Sequence, residues 1–273
     1  MIKKLTSFDD YARWIYEMNQ DADYRHPTLP YNQAEVIKKL NRSLNVKRDP
    51  YFGVFDETNT IVGLFGFLIL EEEHYGEMIV GLSRSAYAYR EMLSYLSNNY
   101  QGYQFDFVFN PRNELILAFL EAYGAEIEIE QMKMVHTHEV SIPKQHEIIS
   151  FDEKYRQSYL RIHQDENHYW TGEKVLEEPD RFHIILCIAD GQAVGYIDVT
   201  HCFEENEPYD IYVLPSYRNQ GIASEMLSEA LAQNQGKKMM LLVDVTNEAA
   251  IHVYQKLGFE KADGSNQTAH LQL

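Results

Sequence analysis

Two stretches of this 273-residue chain repeat each other, and the repeat limits the folds open to it. NPRNELILAFLEAYGAE, from Asn110 to Glu126, mirrors DVTNEAAIHVYQKLGFE, from Asp244 to Glu260. Asn113 falls on Asn247 and Gly124 on Gly258, both at an offset of 134 residues (247 − 113 and 258 − 124). REML at Arg90–Leu93 meets SEML at Ser224–Leu227 at that same offset, and IVGLFGF from Ile61 resembles AVGYIDV from Ala193 at a slightly smaller one. Agreement in order, spacing and chemistry across four blocks points to a duplication, and so to two tandem domains of one architecture.

Each half reads as a mixed α/β unit with mostly antiparallel strands flanked by helices. In the second half HIILCIAD and AVGYIDVTH are β-rich runs separated by a hairpin signal at Gly191-Gln192. YDIYVLP is a third strand, ended by Pro215. GIASEMLSEALAQ places Ile222, Met226, Leu227, Ala230 and Leu231 on one helical face. KKMMLLVDV suits a strand buried on both sides, EAAIHVYQKL is a helix capped by Asn247 and stopped by Gly258, and HLQL supplies a last short strand. Helical regions precede each set of strands, at about residues 9–47 and 153–181. The connection from Ser141 to Ser150, with Pro143 in it, marks the boundary, giving domains 1–140 and 141–273.

A formal net charge of -18 argues against nucleic acid, whose phosphates need clustered Lys and Arg, and favours a cationic partner. No segment has the apolar run of a membrane span, and MIKKLTSFDD lacks the apolar stretch of a secretory leader. Cys187 and Cys202 read as buried thiols of a cytoplasmic protein.

The segment VLPSYRNQGIASEML, Val213 to Leu227, sets small residues where a helix begins just after a strand. A helix N-terminus leaves backbone N–H groups unpaired and partially positive, so it can hold an anion if the backbone comes close. Gly221 and Ala223 remove side-chain bulk there, and Arg218 and Asn219 add donors.

With the strand before it and Asn247, Tyr254 and LGF after it, this segment resembles the GCN5-related N-acetyltransferase family. Arg218, Gly221 and Ala223 match its Q/R-x-x-G-x-G/A motif, and Asn247, Tyr254, Gly258 and Phe259 match N-x6-Y-x3-GF. The resemblance implies two tandem acyl-CoA N-acyltransferase domains and acetyl-CoA as co-substrate. It implies that the pantetheine arm lies along Ile211, Tyr212 and Val213. The pyrophosphate would take amides from Asn219, Gln220, Gly221, Ile222, Ala223 and Ser224, beside Arg218. Val213 N–H would polarise the thioester carbonyl, Asn247 would bond the pantetheine, and Tyr254 would protonate the departing thiolate. The implied reaction is direct acetyl transfer to an amine of a small molecule or peptide in a ternary complex. A non-catalytic CoA-binding regulatory or interaction module is the alternative, and a longer acyl chain is a further one. Acceptor identity and oligomeric state stay open at this level.

At the same offset the first half sets Tyr87 against Gly221, Tyr89 against Ala223 and Leu120 against Tyr254. It lacks the pieces that would bind and use the cofactor, which resembles a degenerate, non-catalytic partner walling the acceptor cleft; a second ligand site of other chemistry is the runner-up. Some relatives that acetylate protein N-termini carry a Glu where this chain has Leu242, so the base is open among Asp198, Asp210, Glu204, Glu205 and Glu207, with a water chain as a further alternative. Asp165, Glu166, Tyr169, Trp170 and Glu173 border the expected acceptor site and could hold a cation. His136, His138 and His146 form no metal-ligand set, and no metal is expected.

Overall fold

A computed structural model describes residues 1–44, 50–163, 170–234 and 236–273. The chain divides into two units, Met1–Gln131 with Gly264–Leu273, and Met132–Asp263.

The first unit runs β1 (Ile2–Lys4), α1 (Ala12–Gln20), α2 (Gln33–Ser43), β2 (Tyr51–Phe55), β3 (Ile61–Leu70), β4 (Tyr75–Ser83), α3 (Ala86–Asn99), β5 (Gln104–Phe109), α4 (Glu114–Ala122) and β6 (Glu126–Ile127). Strands β1 to β4 pair antiparallel in sequence order. β4 then pairs parallel with β5 only from Tyr75 to Met78 and leaves it afterwards. On one sheet face Phe52, Phe65, Phe67, Phe105 and Phe107 pack under the buried stripe Ala88, Tyr89, Met92, Leu93 and Leu96 of α3. On the other, Leu64, Val80 and Leu82 meet Ile15 and Met18 of α1 and Val36 and Leu40 of α2. Asn32, Ser85 and Asn113 cap α2, α3 and α4 with side-chain oxygens.

The second unit runs β7 (Gln131–His136), β8 (Glu147–Ser150), α5 (Arg156–Ile162), α6 (Gly172–Glu177), β9 (Phe182–Ala189), β10 (Gln192–Thr200), β11 (Glu205–Asn206), β12 (Pro208–Val213), α7 (Ile222–Gln233), β13 (Lys238–Asp244), α8 (Glu248–Lys256) and β14 (Phe259–Gln272). Its strands fall into two groups. One is a sheet in the order β12-β10-β9-β8; in the other, β13 neighbours β7 and pairs parallel with β11 over Glu205–Asn206. As β4 leaves β5, so the fourth strand of this repeat leaves the fifth. Among the described residues β12 pairs with β10 on one side and presents an open edge on the other.

The chain is thus a mixed α/β protein of two similar units with mostly antiparallel sheets, as its sequence predicts. The division differs from the expected 1–140 and 141–273. Residues Gln267–Gln272, which contain the HLQL run, pair antiparallel with β5, and Ala269 and Leu271 enter the first unit's core. Met134 of β7, from the first repeat, enters the second unit's core. Each unit is completed by a strand from the other repeat, because pairing and burial rather than the Pro143 loop fix the division. β14 is also 14 residues long, not a short strand.

Other differences are local. The β9–β10 turn is Asp190-Gly191, both at positive φ, as a two-residue hairpin demands. β13 alternates, burying Met239, Leu241 and Val243 but only half-burying Met240 and Leu242. Cys187 is buried, whereas Cys202 is exposed. Among the described residues no helix is long and apolar enough to cross a membrane.

Candidate active site

The α7 end of the second unit has the backbone that the small residues suggest. Asn219 and Gly221 both lie in the left-handed region, at φ 61° and 86°. Gly221 occupies the N-cap position and no side chain caps the helix. A Cβ added at Gly221 would meet nothing within 4 Å, so conformation rather than crowding calls for glycine. Residues 218–221 are exposed and Ala223 and Ser224 half-buried, so the leading amides of α7 face open space beside a partial positive charge.

The edge of β12 adjoins this helix start. Leu214 N–H donates to Val194 O at 2.9 Å, and the register pairs Tyr212 with Tyr196 and Val213 with Gly195. Antiparallel alternation then turns the N–H and C=O of Ile211 and Val213 away from β10, toward the open edge. Arg218 Nε donates to Val213 O at 2.9 Å, and its guanidinium lies 5.5 Å from the Tyr212 ring centre. Arg218 therefore braces the strand end. At Gly195 an added Cβ would come within 3.0 Å of Tyr212 O and 3.2 Å of Met226 Cε, so this glycine lets α7 lie close on the sheet.

Asn247 caps α8, accepting from Ala250 N–H at 3.1 Å, and is exposed. Tyr254, on the same helix, is 9% exposed, and its ring lies 6.1 Å from that of Phe259. Burial first and the charge of Asp210 second push its phenol up to about 12. Among the described residues the hydroxyl has no hydrogen-bond partner. It holds its proton at neutral pH, as a general acid must.

The first unit closes the same places. Ser85 caps α3 by accepting from Ala88 N–H at 3.4 Å. Tyr87 OH accepts from the Met1 amine at 2.6 Å. Tyr89 is fully buried, donating to Ser83 O at 3.2 Å and accepting from Asn113 Nδ2 at 3.1 Å. Leu120 lies in the aromatic core.

A polar cluster lies on the β10–β12 face beneath α5. Asp198 and Asp210 stand opposite each other in the ladder. Asp198 is fully buried and accepts from Tyr159 OH at 3.1 Å on each oxygen and from His163 Nε2 at 2.8 Å. Burial pushes its carboxyl up to about 6, against the lowering pull of His163. Tyr196 OH donates to Asp210 Oδ2 at 2.5 Å, and the His163 ring stacks on Tyr196 at 4.5 Å. Atoms of His163, Asp198 and Asp210 that could ligate a metal all lie within 4.8 Å of one another, but the first two are joined directly.

The other carboxylates differ. Glu205 pairs with Lys133 at 2.8 Å, and Glu204 is exposed. Glu207 is half-buried and is pushed up to about 7 by burial, while Lys133 pulls it down and Glu205 pushes it up. Leu242 is half-buried on β13. Asp165, Glu166 and Tyr169 lie outside the described residues. Trp170 packs on Phe182 and carries the Arg181 guanidinium 4.7 Å from a ring centre, so Arg181 already occupies one face. Glu173 is exposed in the first turn of α6. His146 Nδ1 lies 2.8 Å from Glu225, which fixes the loop before β8. Sequence reasoning missed Tyr159, on α5, and His163, the residue that follows that helix.

The model of the acetyltransferase (GNAT) family matches residues 145–259. Aminoglycoside N(6')-acetyltransferase type 1 of Salmonella typhimurium is 29% identical over 113 residues, covering 37% of this chain and 77% of that protein. A GCN5-related N-acetyltransferase from Sphaerobacter thermophilus superposes with a TM-score of 0.68 at 13% identity, covering 100% of this chain and 95% of that one. A tandem GNAT protein from the clavulanic acid biosynthesis pathway gives a TM-score of 0.59 at 14% identity, covering 100% and 98%. The match over residues 145–259 marks the second unit as an N-acetyltransferase domain of the GNAT type, and the whole chain has the fold of a tandem GNAT protein.

Proposed function

We propose that the second unit transfers acetyl directly from acetyl-CoA to the amine of a small molecule or peptide in a ternary complex, and that the first unit is non-catalytic. The single observation that carries this is the uncapped start of α7, with Gly221 at positive φ, beside the open edge of β12. Acetyl-CoA supplies the acetyl group as a thioester. Amides of residues 219–224 receive its pyrophosphate, and the edge of β12 from Ile211 to the N–H of Val213 receives the pantetheine, the Val213 carbonyl being held by Arg218. Val213 N–H stabilises charge on the thioester oxygen, Asn247 steadies the pantetheine arm, and Tyr254 protonates the leaving sulfur. The family relative named for an aminoglycoside and the net charge of -18 both favour a cationic amine.

The test is calorimetric binding of CoA, followed by thiol release from acetyl-CoA with a panel of amines. Tyr254→Phe is expected to bind CoA normally and to lose about 10²-fold in kcat. Unchanged turnover in that variant would remove the acid role, and binding of CoA with no turnover on any amine would favour a regulatory module.

A further inference from the structure

The two units differ where their strand registers coincide. Gly63 pairs with Ser83 in the first unit as Gly195 pairs with Val213 in the second. From that anchor the Asp198–Asp210 pair corresponds to Gly66–Val80, and Tyr196–Tyr212 to Leu64–Leu82. The same fold is therefore built with apolar side chains at these places in the first unit. Burying carboxylates costs several kcal/mol, roughly, even when they are hydrogen-bonded, and stability gives no reason to carry them here.

The two aspartates are also unequal. Asp198 accepts from two donors, the Tyr159 hydroxyl shared between both its oxygens and His163 Nε2, and is 0% exposed. Asp210 is 20% exposed, and among the described residues its Oδ1 accepts no hydrogen bond. His163 Nε2 is 2.8 Å from Asp198 Oδ2 and 4.0 Å from Asp210 Oδ2. Its ring backs Tyr196, whose hydroxyl holds Asp210. The charge of Asp210 also helps to raise the Tyr254 phenol, after burial.

We propose that Asp210 seats the primary ammonium of the acceptor and takes its proton, with Tyr196 and the buried His163–Asp198 pair as positioning residues. This rests on the transfer reaction proposed above. One proton passes from R–NH3+ to Asp210 Oδ1. The freed lone pair forms the N–C bond to the acetyl carbonyl carbon, and the C–S bond breaks. The sulfur takes the Tyr254 proton, and the second nitrogen proton restores the phenol. Asp210 returns its proton to solvent, so one proton is released per turnover. Among the described residues the titratable groups around Asp210 are Tyr196 and Asp198 of β10, Tyr212 of its own strand, Tyr159 of α5, His163 just beyond α5, and Tyr254 of α8.

The experiment uses the full chain, acetyl-CoA and spermidine as the probe amine. With the native protein, kcat/KM for spermidine should stay level from about pH 7 to 9, because the site deprotonates the bound cation. In Asp210→Asn it should fall about 10²-fold at pH 7 and then climb roughly tenfold per pH unit as free amine appears, with CoA affinity unchanged. His163→Gln should raise KM for spermidine more than it lowers kcat, leaving KM for acetyl-CoA alone. A level profile in Asp210→Asn, within threefold of native, would overturn the proposal, as would transfer of this behaviour to Glu207→Gln. If spermidine is not turned over, its calorimetric binding to the CoA-saturated protein decides. At least tenfold weakening in Asp210→Asn supports the seat, and no binding to the native protein sinks it. Failure of CoA itself to bind would instead sink the transfer reaction.

Discussion

Asp198 and Asp210 face each other across β10 and β12, one sealed by Tyr159 and His163 and the other, among the described residues, open on one oxygen. Cross-strand like charges destabilise a sheet, and burial raises that cost. The pair persists with two tyrosines and a histidine built around it, while Gly66 and Val80 stand in the same register of the first unit. Measurements on the second unit should separate these residues from those that only hold the fold.

Asp198→Asn should change how stability depends on pH. Burial raises this carboxyl from its ordinary value to about 6. The folded state therefore binds the proton more tightly than the unfolded chain, so this group's stabilising contribution is full below about pH 4 and is lost as pH rises through 6. The variant lacks that loss. Urea unfolding should show it gaining about 1–3 kcal/mol relative to the native protein between pH 4 and 7.5, from the 1.36 kcal/mol carried by each pKa unit.

Gly221→Ala separates conformation from ligand binding. The left-handed backbone costs an alanine about 1–2 kcal/mol, and no neighbour obstructs the new Cβ. A melting point lowered by a few degrees, with CoA affinity reduced about tenfold or more, is the expected outcome in a thermal melt and a CoA titration.

Tyr254 sets an upper pH limit. With its phenol raised to about 12, no alkaline loss of kcat from this group should appear up to about pH 10. A pH–rate profile that falls with a midpoint near 9 in the native protein and not in Tyr254→Phe would contradict the acid role.

Leu271→Ala tests the exchanged strand. Leu271 is buried in the first unit's core, and its residue pairs with Phe105. Removing the side chain should cost about 2–5 kcal/mol in chemical unfolding, with the near-ultraviolet signal of the aromatic core lost first.

The repeat, the element order and the start of α7 were legible because each rests on local chemistry: Pro215 ends a strand, Gly221 meets a positive φ, and Asn247 caps a helix. Strand exchange was not legible. QMKMVH and HLQL are short alternating runs whose partner is set by long-range pairing, and nothing in either names a sheet. The polar cluster around Asp198 was half legible. A carboxylate at Asp198, on the face shared with Tyr196, stood out in an apolar strand, whereas neither Tyr159 nor His163 carries a local mark of its link to Asp198. Cys202 was misread because two cysteines without a framework say nothing about exposure.

The crossing of β7 and the end of β14 also bears on how such a gene can change. A stop codon or recombination point between the repeats would yield two truncated sheets rather than two free-standing domains. The first repeat differs from the second at Tyr87, Tyr89 and Leu120, yet its β7 supplies Met134 to the second unit's core.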